Sequence, residues 1–377
     1  MQIPLSKPSI DNAEIRVVKQ VLQSGWLTDG PKNIEFQEAF ARYIGVKKAI
    51  TFNSATSALY IAVKALGITG EVILPSFTFV ASANAVVTAG ATPVFADIDF
   101  DTCNINPEDI RKKITARTQA VMAVHYAGQS CDMQPIMELV KKHKLYLIED
   151  SAETLGGTYR GKQCGSFGIG CFSFFPTKNI TTGEGGMLTT DNEELANNIE
   201  ALIAHGIRKS SFVRQGGKMP WYRDACFAGY NFRMSNILAA IGVEQLKKID
   251  RMNNLRREHA AYLNKQLRFD EIILPVEKEP CRHVYQMYTV KTRGIERDAF
   301  VLGLRKLGVM ASVHFTPPVH LQEFYRRNYS LAKDDLSVTE SVSSSTVTLP
   351  MYPQLKRREL KYMVGAVEKV LRDTRRG

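Results

Sequence analysis

Cysteine and histidine are scarce in this chain and poorly placed for metal chemistry. Six cysteines and seven histidines are spread over 377 residues, with no CxxC pair and no His-rich neighbourhood. Neither a zinc site nor a disulfide framework is therefore expected. Reduced thiols fit a cytoplasmic protein. The first residues, Met1-Gln2-Ile3-Pro4-Leu5, lack a basic segment leading into an apolar core, so no signal peptide is expected. Long apolar runs are missing as well. The uncharged stretch from Val72 to Ala96 is interrupted by Pro75, Ser76, Thr78, Ser82, Asn84, Gly90 and Pro93, which suits a buried strand, helix and strand rather than a membrane span. No basic run with interleaved aromatics occurs. The 49 Lys and Arg against 38 Asp and Glu give a net charge of +11, scattered except for local clusters at Arg256-Arg257, Arg326-Arg327 and Arg372 to Arg376. Such an excess favours anionic ligands without pointing to nucleic acid.

Short apolar runs alternate with helical patterns. Ser9 to Gln23 and Pro31 to Ile44 read as amphipathic helices, the second with proline at its start and Gly45 as its stop. Strands are expected at Ala49 to Phe52, Val72 to Leu74, Thr92 to Ala96, Ala120 to Val124, Leu145 to Ile148, Gly170 to Phe174 and Met187 to Thr190, with helices between most of them. This is α/β alternation around a mostly parallel sheet with helices on both faces. A long helical pattern from Ser235 to about Leu267, broken near Asn253-Asn254, precedes a C-terminal α+β part. Its strands are expected at Tyr285 to Lys291, Val309 to Val313 and Thr346 to Leu349, and its helices at Arg297 to Leu307 and Leu355 to Leu371. The expected division is a large α/β domain over 1–250 and a small one over 251–377.

In parallel sheets, ligands collect beyond the carboxyl ends of the strands. Lys178 lies there, after an apolar run and before Thr181-Thr182-Gly183-Glu184-Gly185-Gly186. Desolvation at a core edge frees a lysine amine for Schiff-base chemistry, and the glycines allow close backbone approach to a ligand. No GxxxxGK[ST] is present there, so this is not a Walker loop. Upstream, Leu145 to Asp150 ends an apolar strand on a carboxylate, the group a pyridoxal phosphate lysine needs as partner for the cofactor's ring nitrogen. Asp150 can equally cap the next turn, and Glu153 can be a capping-box partner or lie beside a cofactor ring. Asn53-Ser54-Ala55-Thr56-Ser57 follows a strand and opens a helix, where free amides and the helix dipole favour a phosphate. Phe79 can stack on a ring or sit in the core. Ser173 alternates with Phe172 and Phe174 and can face the site.

Asn53 to Leu59, Leu74 to Ala81, Ile148 to Glu153, Phe172 to Gly186 and Gly229 to Ser235 occur in this order, with Ser24 to Thr28 and Pro318 to Gln322 beside them. Together they resemble the nucleotide-sugar aminotransferases of the DegT/DnrJ/EryC1/StrS family, nearly end to end. The resemblance implies a fold-type I enzyme using pyridoxal 5'-phosphate, with a small C-terminal domain and an obligate homodimer. It gives Lys178 the Schiff base, Asp150 the ring nitrogen, Phe79 the ring face, and the Ala55 amide, Thr56 and Ser173 the phosphate. Glu153 matches a position often held by Gln or His near the 3-hydroxyl. Asn231 matches an asparagine reaching the phosphate from the neighbouring subunit, so that sites are shared. Trp26, Thr28 and His320 match segments lining the sugar pocket, although His320 can also be an ordinary loop histidine. Lysine rather than histidine at 178 is similar to the transaminating members, not the dehydratases. The implied reaction passes an amino group from L-glutamate to a nucleotide-linked ketosugar by a ping-pong course. The loop from Thr181 to Gly186 resembles that of 4-aminotransferases, so C4 is favoured over C3. Cyclitol amination, aminobenzoate formation and a non-catalytic ligand sensor are the alternative readings.

Overall fold

The computed structural model describes residues 1–208, 221–329 and 331–374. Seven five- to seven-residue strands form the central sheet in the order Lys48–Phe52, Gly186–Thr190, Ile169–Ser173, Tyr146–Asp150, Thr118–Val124, Glu71–Pro75, Thr92–Ala96. Only Gly186–Thr190 runs against the rest. Six carboxyl ends and the amino end at Gly186 therefore meet at one edge. The apolar strands are buried on both faces. Along Glu71–Pro75, Val72 and Leu74 join the cluster under the Ala55–Ala65 helix, while Ile73 packs with Val121, Ala123 and Ile136 on the other side.

Caps set the helix limits. Asp11 caps Asn12–Ser24 and receives the Glu14 carboxylate on its own amide, so the first helix begins three residues later than its periodicity suggests. Pro31–Ile44 has the expected bounds, with Gly45 at φ 79°. The long pattern is two helices, Asn236–Leu246 and Ile249–Gln266, and its break falls at Lys247-Lys248 rather than at the asparagine pair. Asn253 lies inside the second helix, where it donates to Leu155 O and accepts from Asn179. Lys248 instead turns its ammonium to Asp11 and Glu14, each at 2.7 Å.

The small C-terminal α+β domain holds an antiparallel sheet ordered Ile272–Ile273, Tyr288–Thr292, Thr346–Leu349, packed on Arg297–Lys306 and Arg357–Thr374. Ile3 joins its core. The strand expected over Val309 to Val313 reduces to single bridges with Ile3 and Thr348, because Ala311 turns its amide back to Val309 O at 2.7 Å and breaks the ladder. The expected strand start at Tyr285 shifts to Tyr288; Tyr285 has φ 47° and stacks on His283. Among the described residues no helix is long and apolar enough to cross a membrane. Arg375 and Arg376 of the basic tail lie outside the described residues.

Candidate active site

A cavity of about 390 Å³ opens at the shared edge of the central sheet and reaches to the small domain. Every strand of the sheet except the edge strand Thr92–Ala96 contributes a segment. Ser54, Ala55 and Thr56 follow Lys48–Phe52, Thr78 to Ser82 follow Glu71–Pro75, and His125 follows Thr118–Val124. Asp150 and Glu153 come from the end of Tyr146–Asp150, Ser173 and Lys178 from that of Ile169–Ser173, and Gly185 precedes Gly186–Thr190. Gln286, His314 and Phe315 close the small-domain side. The Lys178 loop is held in shape by Phe174 N to Gly185 O at 3.0 Å, Thr182 N to Phe174 O at 3.0 Å and Thr181 Oγ1 to Phe174 O at 2.9 Å. Gln286 Nε2 donates to Thr177 O at 2.9 Å beside the lysine.

Lys178 Nζ stands 3.2 Å from Glu153 Oε1, with both side chains mostly buried. The other Glu153 oxygen accepts from the Ala127 amide at 2.8 Å. Asp150 accepts from the Ser82 hydroxyl at 2.7 Å and the Ala152 amide at 3.2 Å. Burial pushes its carboxyl above the usual range; the two hydrogen bonds and the Lys178 charge oppose this, and Glu153 adds to it. Among the described residues no lysine, arginine or histidine forms an ion pair with this carboxylate. His314 is pushed below the usual imidazole range by burial and stands 2.9 Å from Thr348 Oγ1, so it is neutral near pH 7. His125 is committed elsewhere: Nδ1 accepts from Cys131 N, and Nε2 donates to Glu149, which also receives the amides of Gly165, Phe167 and Gly168.

The Ala55–Ala65 helix begins at the cavity with no acidic residue in its first turn. Ser54 caps it by accepting from Ser57 N at 3.1 Å, and the Ala55 and Thr56 amides precede the first intrahelical bonds. Gly186 is pressed onto this turn. A Cβ there would lie 2.5 Å from Ser54 C and 2.6 Å from Ala55 N. The result is an anion cradle at one end of the cavity and a lysine between two carboxylates at the other.

Residues 8–368 match the DegT/DnrJ/EryC1/StrS aminotransferase family. The chain belongs to that family. The spore coat polysaccharide biosynthesis protein SpsC of Bacillus subtilis is 38% identical, over 98% of this chain and 97% of its own length. Among solved structures, Helicobacter pylori PseC, an aminotransferase involved in the biosynthesis of pseudoaminic acid, is 30% identical and superposes with a TM-score of 0.91 over 99% of this chain and 100% of its own. The PLP form of Spr1654 from Streptococcus pneumoniae, described as a putative sugar aminotransferase, is 28% identical with a TM-score of 0.92, over 99% of this chain and 100% of its own. Neighbours of this kind carry the fold-type I architecture.

In this aminotransferase Ala55, Thr56, Phe79, Asp150, Glu153, Ser173 and Lys178 all line one cavity. Four expected residues do not. Asn231 is exposed outside its own chain's cavity. Trp26 donates from its indole to Asp29 O at 2.9 Å, and Thr28 is exposed; neither borders the cavity. His320 is fully buried, with Nδ1 2.6 Å from Ser76 Oγ and Nε2 3.2 Å from Glu340, and does not border the cavity of its own chain. Ser76 Oγ also accepts the His320 amide at 2.9 Å, and the ring pins the loop to the end of Glu71–Pro75. Ser82, Gln286, His314 and Phe315 escaped the sequence reading. Ser82 lay in reach, one helical turn beyond Phe79 in the quoted motif, whereas the other three arrive from distant sequence.

Proposed function

We propose that the protein uses pyridoxal 5'-phosphate to move an amino group from L-glutamate to a nucleotide-linked ketosugar, at C4 rather than C3, by a ping-pong course. The observation that carries this reading is the placement of Lys178 and Asp150 around one cavity whose far end is a helix N-terminus without acidic residues. These residues fit the cofactor on chemical grounds. The cradle at Ala55, Thr56 and Ser173 suits a phosphate dianion, and its closeness to Gly186 leaves no room for a side chain between sheet and cradle. Asp150, buried and without an ion pair among the described residues, suits a protonated ring nitrogen. Phe79, 60% exposed at the cavity mouth, offers an aromatic face. When bound, pyridoxal phosphate supplies an electron sink for cleavage of the donor's Cα–H bond.

The chain's own groups do the rest. Lys178 Nζ binds covalently and, once released, takes and returns a proton inside the cavity. Asp150 holds the proton on the ring nitrogen, and Ser82 keeps that carboxylate oriented. One cavity with one reactive amine serves donor and acceptor by turns, which supports the ping-pong course. The family membership and the sugar aminotransferases among its relatives support a sugar acceptor. A homodimer with shared sites is supported by the exposed apolar residues Ile10, Ile15 and Phe175 and by an Asn231 that is exposed and does not line its own chain's cavity. Six unpaired cysteines, four of them buried, support a cytoplasmic location.

The test is a pair of half-reactions. Protein loaded with pyridoxal phosphate should absorb as a lysine conjugate, and borohydride should fix the label on the Lys178 peptide. L-glutamate alone should then release one equivalent of 2-oxoglutarate per site, and a panel of nucleotide-linked 3- and 4-ketosugars, with keto-inositol as control, should restore the starting spectrum only with the true acceptor. A colourless, unlabelled Lys178 would refute the cofactor assignment, and turnover of keto-inositol alone would refute the sugar.

A further inference from the structure

The Lys178–Glu153 contact places a second carboxylate in the cavity that the proposed reaction, as derived above, leaves without a defined task. Its geometry is restrictive. Glu153 Oε2 accepts the Ala127 amide at 2.8 Å, and Oε1 faces Lys178 Nζ at 3.2 Å. Ala127 is held with φ 56° in a short turn whose carbonyls are clamped by Met287 N to Ala127 O at 3.2 Å and Val284 N to Gly128 O at 2.9 Å. Both neighbours of the side chain are donors. A glutamine here would turn its amide hydrogens either onto the Ala127 N–H or onto the Lys178 ammonium, so one contact would always set donor against donor. Only a carboxylate, with an acceptor oxygen on each side, serves both.

The charged and titratable groups around Glu153 are few. From the Lys178 loop comes the ammonium. Asp150 acts on it from the strand end, the neutral His314 from the small domain, and the Tyr126 phenol, pushed well above its usual range by burial, from the turn that also carries Ala127. Among the described lining residues Lys178 is thus the only lysine or arginine there.

We infer that Glu153 is the counter-ion that keeps a proton on the Lys178 nitrogen, both in the free side chain and while that nitrogen is bonded to the cofactor. This rests on the cofactor reading above and extends it to the control of reactivity. With pyridoxal phosphate bound, a proton held on that nitrogen would draw electrons from the adjoining carbon and so favour its reaction with a donor amine. Glu153 thereby acts through Lys178 as a positioning and charge-holding residue and need not touch the sugar.

The experiment is an absorbance titration of loaded wild-type, E153Q and E153D proteins. E153Q removes the charge at nearly constant shape, and its longer-wavelength, protonated band should disappear at least one pH unit closer to acid, a tenfold weaker hold on the proton. E153D, which restores the charge, should recover part of the shift. Coincident titrations of wild type and E153Q would overturn the inference while leaving the cofactor reading intact; a wild type that forms no borohydride-fixable chromophore would instead sink that reading. Infrared difference spectra of wild type with carboxyl-labelled glutamate residues give a measurement independent of how the variants fold. Loading should produce no protonated-carboxyl band from a glutamate side chain, and the gain of one would also overturn the inference.

Discussion

His283 links acid stability to the active site. Its ring is buried, lies parallel to Tyr285 at 3.9 Å, and accepts the Tyr285 amide on Nδ1 at 2.9 Å. Burial, reinforced by the nearby Arg257 charge, pushes its pKa down to about 3 from an ordinary 6.5. A base with a depressed folded-state pKa binds fewer protons in the native than in the unfolded chain between those two values. Stability contributed by this group is therefore full above pH 6.5 and is lost as pH falls from 6.5 towards 3. Between pH 7 and pH 5 the linkage relation gives a loss of about 2 kcal/mol. Carboxylates held below their usual range, such as Glu14 and Glu71, add acid sensitivity only at lower pH. The substitution to examine is His283→Asn, which keeps an acceptor bonded to Cγ for the Tyr285 amide and removes the titration. Urea unfolding at pH 7 and pH 5 should show the wild type losing about 2 kcal/mol more than the variant, whatever their difference at pH 7. His259 and His314, also held low, titrate in both proteins and cancel. Equal losses would refute the reasoning. Because Val284 and Met287 clamp the turn that carries Ala127, the same acid range should loosen the support of Glu153.

Three further outcomes are expected. Gly186→Ala would place its Cβ against backbone atoms of Ser54 and Ala55 that no rotamer change can clear; pyridoxal phosphate affinity by equilibrium dialysis should fall at least about tenfold, at a stability cost of about 1–3 kcal/mol. Asp150→Asn keeps a partner for Ser82 but removes the charge from the ring-nitrogen position, so the glutamate half-reaction followed in a stopped-flow instrument should slow by about 10²-fold or more while the cofactor still binds. Arg256 is buried with Nε and Nη1 unpartnered, and burial alone pushes it down to about 10; Arg256→Met should raise the melting temperature, by the equivalent of about 1–4 kcal/mol, and a fall would reveal a bound counter-ion.

The sheet-edge half of the cavity was legible because it is local. Asp150 ends an apolar strand, the Ser54–Thr56 turn follows one closely, and Lys178 lies in the loop after another; a parallel sheet brings strand ends together whatever the order of its strands. The small-domain wall was not, because His314, Phe315 and Gln286 reach the cavity through packing between segments far apart in sequence. Capping shows the same division. Pro31–Ile44 carries its own start and stop signals, whereas Ser337–Ser345 is capped by Asp97, which accepts the Val338 and Thr339 amides at 3.0 and 2.7 Å from across the fold. Nothing in the local sequence of that helix supplies its cap, so its start could not be read there. His320 shows the limit of a motif match: the residue is where the pattern places it, but its ring is consumed by Ser76 and Glu340, and only the fold reveals which way it faces.

Charge at the cavity also runs against charge on the chain. The protein carries +11 overall, yet among the described lining residues Lys178 is the only lysine or arginine, facing the acids Asp150, Glu153 and Glu184. With Glu153 matched to Lys178, Asp150 is left to balance one further positive charge, and in the proposed reaction a protonated ring nitrogen would supply it. Among the described residues the lining offers no guanidinium for the two carboxylates of glutamate or for a diphosphate. Under the proposed homodimer, a site shared with a second basic copy would bring further positive charge to those anions. Dilution below the dimer's dissociation constant is then expected to raise KM for both substrates before the lysine-bound chromophore is lost, and a chromophore that vanished first would place the cofactor's main support in the second copy instead.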